Sequence, residues 1–176
     1  MTGASERILA ATIEVLAIHG LTDCSVERIA AEADCAKGLV NYHFRAKDEL
    51  LKGVARLLGR RRASKWVSAI RTGTGASAID ALWRTLQDGA LSKEGTAGAA
   101  LLGLPEARTL LNPDRDETAT LAREGEAATG LDRGSLPGGL LVVLLTGVEL
   151  QLWSGGHAPS LRESYERFWL SLLPPP

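Results

Sequence analysis

Apolar residues recur along this chain at intervals of three and four, the spacing of an amphipathic helix, and no alternating run lasts long enough to specify a strand. The pattern predicts an all-α protein of about nine helices. The first runs from about Ser5 to His19, with Ile8, Ala11, Val15 and Leu16 on one face and Gly20 placed to end it in a left-handed conformation. Val26, Ile29, Ala30 and Ala33 mark a second helix, capped at Ser25 or its neighbour and carrying Glu27 in its first turn. Asp34 and Cys35 interrupt the pattern, and Val40 and Phe44 resume an apolar face four residues apart. A long helix then extends from about Ala46 to Ile70 through Leu50, Val54, Leu57, Leu58 and Trp66.

Beyond a loop at Thr72-Gly73-Thr74-Gly75, which lacks the strand and third glycine of a dinucleotide site, Ile79, Leu82, Trp83, Leu86 and Ala90 form another stripe. Two short helices are expected over residues 97–103 and 105–111, and Asn112-Pro113-Asp114 reads as the start of a helix ending at Gly130, with Asn112 as its cap. From Leu140 to Trp153 apolar residues occupy every face, so the helix must be covered all round. The amphipathic segment Leu161 to Leu173 can cover only part of it. A second copy can cover the rest, two helices from each subunit making a four-helix bundle about a two-fold axis. The residues expected at that interface are Leu141, Leu145, Val148, Leu152, Leu161, Tyr165, Phe168, Trp169 and Leu172. The alternative is that both helices simply complete the monomer core.

The segment Ser25 to Leu50 is a helix, a tight turn, a short second helix and the start of a third, the pattern of a DNA-reading helix-turn-helix. The side of the second helix away from Val40 carries Lys37, Gly38, Asn41 and Tyr42, a set suited to a phosphate-lined groove. The formal charge is −1, which argues against a protein that coats nucleic acid indiscriminately. Its distribution supports steering: residues 1–62 hold ten Lys or Arg against eight Asp or Glu, and the remainder ten against thirteen. The longest apolar run, residues 136–148, is too short to span a bilayer, and no signal peptide is apparent, so a cytoplasmic protein is expected. Cys24 and Cys35 flank the second helix, where a redox switch is conceivable but a stable cytosolic disulfide is disfavoured. His19, His43 and His157 lack partners at ligand spacing, so no metal is expected, and no cofactor or catalytic motif is found.

Three stretches resemble the TetR family of bacterial transcriptional regulators: RILAATIEVLAIHG for the first helix, SVERIAAEA for the second, and AKGLVNYHFRAKDELL for the recognition helix and the start of the fourth. Near the C-terminus LLTGVELQLW looks like the family's dimer-forming helix. The resemblance implies a homodimer with an N-terminal three-helix DNA-binding domain over residues 1–46, completed by the start of helix four. Residues 47–176 would then form a helical effector-binding and dimerisation domain. It implies a non-enzymatic regulator, most often a repressor, that binds a palindromic operator in double-stranded DNA and is released by a small-molecule effector. By position, Lys37, Leu39, Asn41 and Tyr42 would touch bases or adjacent phosphates, His43 and Lys47 the backbone, and Ser25 and Arg28 phosphates. Gly38 lets the backbone approach DNA, and Asn41 can pair with adenine in bidentate fashion. Ala36 and Ala46 stand where the family often has Ser, and supply no capping oxygen. A partly apolar effector would be lined by a subset of Trp66, Trp83, Leu101, Leu104, Trp153 and Tyr165, with Glu149, Gln151 or His157 as polar anchors. Rival expectations are an interaction module that has lost DNA binding, or a small enzyme using the C-terminal cavity.

Overall fold

The structure is a computed structural model that describes residues 3–156 and 158–172. His157 and Leu173, invoked above, lie outside the described residues. Ten α-helices and no strand are found among the described residues, in keeping with the all-α expectation: α1 (Gly3–His19), α2 (Val26–Glu32), α3 (Lys37–His43), α4 (Lys47–Ile70), α5 (Ala76–Leu91), α6 (Lys93–Leu101), α7 (Pro105–Leu110), α8 (Arg115–Thr129), α9 (Gly138–Trp153) and α10 (Ala158–Leu172). None is long and apolar enough to cross a membrane.

Packing sorts the helices into two compact units, one running to Gly59 and including Ser92–Leu111, the other comprising Arg60–Leu91 and the chain from Asn112. This partition by packing differs in kind from a functional division along the chain at residue 46. In the first unit α1 packs on α2, α3 and α6. Its core holds Ile8, Leu16, Ile29, Val40, Leu50 and Val54, the faces read from the sequence. Gly20 ends α1 with φ 70°, and Asp34 takes the tight turn after α2 with φ 48°, a left-handed conformation that a short polar side chain tolerates. Ser25 caps α2, its Oγ accepting from Arg28 N at 3.2 Å. α3 starts at Ala36 with no side-chain cap.

Two helix starts differ from expectation. α6 begins at Lys93 rather than near Ala97, because Ser92 Oγ accepts from Gly95 N at 3.0 Å and opens the helix four residues earlier. α8 is capped by Asp114, not Asn112: Asp114 Oδ1 accepts from the amides of Asp116 and Glu117 at 2.9 and 2.8 Å, while Glu117 Oε2 accepts from Asp114 N at 2.9 Å. Only Asp114 has an acid three residues on to close this reciprocal box; Asn112 has Arg115 there.

The second unit packs α9 against α5, α8 and α10 around Trp66, Leu82, Leu86, Leu121, Leu141, Leu145 and Tyr165. The start of α9 lies close on α8, where a Cβ at Gly138 would sit 2.8 Å from Thr118 O. The connection before it is organised by the buried Glu126, whose Oε1 accepts from Gly134 N at 2.8 Å and Leu136 N at 3.0 Å.

Candidate nucleic-acid interface

Helix α3 is anchored by Val40, which is 1% exposed, and by the half-buried Phe44. With that side fixed, Lys37, Gly38, Asn41 and Tyr42 are exposed together, and Tyr42 has 81% of its surface in solvent. A hydrophobic ring so exposed is not explained by the core of its own unit. A Cβ at Gly38 would meet nothing within 4 Å, so the absence of a side chain there answers to no neighbour within the described chain. Leu39 is half-buried, and His43 packs edge-on against Tyr42 with ring centroids 5.2 Å apart. Beside this face, Arg28 is exposed, and Ser25 and Lys47 are partly exposed. The structure therefore brings the predicted DNA-facing residues onto α3 and the adjoining starts of α2 and α4.

One neighbour escaped the sequence reading. Glu27 of α2 accepts a hydrogen bond from Lys37 Nζ, and this contact, together with Glu27's own backbone, holds its carboxyl below the usual carboxylate range. The visible signal was an acid on the outward side of α2, but nothing in the spacing showed which cation it would meet. Cys24 is fully buried, and burial pushes its thiol up, against the pull of Lys47; Cys35 is half-buried.

The residues expected around an effector are divided between the two units. Leu101 is fully buried in the core of the first unit and Leu104 packs against the same core. Trp66, Trp83, Glu149 and Trp153 belong to the second. There the buried Glu149 carboxylate accepts from Trp66 Nε1 at 3.3 Å and pairs with Arg62 Nη1 at 3.1 Å, while the Arg62 guanidinium lies 5.0 Å from the Trp66 ring. Burial pushes the Glu149 carboxyl up to about 7, against the opposing influence of Arg62 and Trp66. Gln151 is exposed.

The expected dimer residues also divide. Leu141, Leu145, Val148, Tyr165 and Trp169 are at most 4% exposed and fill the core of their own unit, so they present no surface to a second copy. Leu152, Leu161, Phe168 and Leu172 are half-buried. The outward stripe of α9 is instead Gly139, Leu140, Val143, Gly147 and Leu150, with Val143 69% exposed. An all-apolar helix gives no periodicity from which to tell its inner stripe from its outer one.

Residues 8–54 match the family model described as bacterial regulatory proteins, tetR family. No curated protein matches the chain. Among solved structures, the multidrug binding protein EbrR complexed with imidazole is 24% identical, with 100% of this chain and 98% of that chain covered at a TM-score of 0.67. EbrR is also similar in its complexes with ethidium and malachite green. A transcriptional regulator from Rhodococcus sp. Rha1 is 27% identical over 97% of this chain and 94% of its own, TM-score 0.65. One from Pseudomonas aeruginosa PAO1, described as putative, is 21% identical over 95% and 88%, TM-score 0.64.

Proposed function

We propose that this chain is a transcriptional regulator of the TetR family, whose model its residues 8–54 match, and that it represses transcription as a cytoplasmic homodimer on a palindromic operator and is released by a small-molecule effector. The observation that carries the DNA-reading half is the outward set on α3: a cation, a bare backbone, an amide and an exposed ring, on a short helix whose other side is locked by Val40. In the major groove Lys37 reaches a guanine edge or a phosphate, Asn41 pairs with adenine, and Leu39 meets a thymine methyl. Tyr42 adds a base or phosphate contact. His43, Lys47, Ser25 and Arg28 hold the backbone and set the register.

Two recognition helices reach successive major grooves only if a two-fold axis relates them. The stripe Leu140, Val143 and Leu150, with Gly139 and Gly147 leaving room for close approach, gives α9 a self-complementary face for that axis. The small-molecule half of the proposal draws support from EbrR, which shares the fold and was solved with imidazole, ethidium and malachite green. An effector acts by binding the DNA-competent and incompetent geometries unequally.

The test is selection of bound duplexes from a random pool by the purified protein, followed by titration of the winner at two salt concentrations. An enriched palindrome whose log affinity falls by roughly 0.9 per phosphate contact per unit log salt supports the reading. A folded dimer that enriches nothing, with or without candidate effectors, overturns it.

A further inference from the structure

A cleft of about 370 Å³ opens in the second unit between the start of α5, the end of α8 and α10. It is lined by none of the residues expected around an effector, and its size falls toward the lower end of the ~300–1,000 Å³ typical of small-molecule sites. Ile79, Trp169 and Leu170 form its apolar side, and Asp80, Glu166 and Arg162 its charged side. Arg162 is held between the two acids and two rings. Its Nη2 donates to Asp80, its Nε donates to Glu166 Oε1 at 2.6 Å, and its guanidinium lies 5.3 Å from the Trp83 ring and 5.8 Å from the Tyr165 ring. An incoming anion would find that cation already surrounded by acceptors and ring faces.

The carboxylates are differently placed. Asp80 and Glu166 are half-exposed, and the second oxygen of each, Oδ2 and Oε2, accepts from none of the described residues. Two acids against one base leave the lining with a formal charge of −1. A negative rim beside an indole and two aliphatic side chains is complementary to one kind of guest. We propose that this cleft binds a small organic monocation, an ammonium or amidinium reaching Asp80 and Glu166 while a flat apolar body lies against Ile79, Trp169 and Leu170. The assignment rests on the effector reading above for its regulatory meaning, but occupancy of the cleft stands or falls separately.

Calorimetric titration of the full-length, DNA-free protein with 1-naphthylmethylammonium and 1-naphthylacetate tests it, since the two share a ring system and differ in the sign of charge. The ammonium should saturate one site per chain and the acetate bind at least about tenfold more weakly. Asp80→Asn and Glu166→Gln should each weaken the ammonium by about tenfold, whereas Glu163→Gln, removing an acid of α10 outside the cleft, should not. Equal binding of both compounds, no binding of the ammonium, or binding indifferent to both cleft substitutions would overturn the proposal. The matched compounds on the unaltered protein give the answer even if a variant fails to fold. Adding the ammonium to the protein–operator complex then separates the two readings: a cation that fills the cleft and leaves the operator bound supports the site and removes the effector role.

Discussion

An ammonium group on the first turn of a recognition helix can serve one close anion well, and in the DNA-free protein Lys37 already has Glu27. On the function proposed above, an operator phosphate or a guanine edge competes with that carboxylate. Exposed ion pairs are weak, so the competition is modest. Glu27→Gln should raise operator affinity by about two- to fivefold, measured by fluorescence anisotropy, and the gain should vanish in a Lys37→Met background. A gain that survives there would mean that Glu27 acts by repelling phosphates and not by holding Lys37. At Glu149 the argument is one of proton linkage. Its carboxyl titrates near 7 when folded, above its value in an unfolded chain, so the unfolded state releases the proton first as pH rises. Stability should therefore fall between about pH 4.5 and pH 7, by roughly a few kcal/mol at most, and level off above. Urea unfolding across that range should show the slope in the native chain and not in Glu149→Gln; equal slopes would assign the loss to other groups.

At the scale of the helix, the starts of α3 and α8 are a contrasting pair. Ala36 leaves the first amides of α3 without a side-chain acceptor, whereas Asp114 and Glu117 close a reciprocal box on α8. Ala36→Ser should raise the melting temperature and Asp114→Ala lower it, each by the equivalent of about 0.5–2 kcal/mol in thermal unfolding. An unchanged Tm for Ala36→Ser would show that the amides of α3 gain nothing from a hydroxyl there. These helices also show what a linear sequence discloses. The faces of α1, α2 and α4 were legible because large aliphatic residues stand at helical spacing on them and polar residues elsewhere. The place of α6 was not: it packs on α1 and buries Gly95, Ala97, Gly98 and Leu101, and small residues mark a close approach without naming the partner. The capping box was missed because a more familiar Asn-Pro pair lay two residues upstream. The cleft was illegible for another reason. Arg162 and Glu166 are a visible i, i+4 pair, but Asp80 joins them across 82 positions of sequence.

For the molecule as a whole, the proposed dimer turns on the outward stripe of α9. Val143 is 69% exposed, so Val143→Asp should leave the folded chain's stability nearly unchanged while separating the subunits. Light scattering after gel filtration should report a monomer, and operator affinity should fall at least about a hundredfold as the second half-site contact is lost. A dimer that persists would place the two-fold axis elsewhere. The stripe is also held in advance. Glu126 fixes the backbone just before α9, and Gly138 lets the helix start directly on Thr118, so the orientation of α9 on α8 is set by contacts within one chain. In the proposed dimer, subunits built this way would meet as finished surfaces. Little backbone ordering remains to be done at encounter, so assembly of newly made chains should be governed by collision and orientation rather than by a folding step.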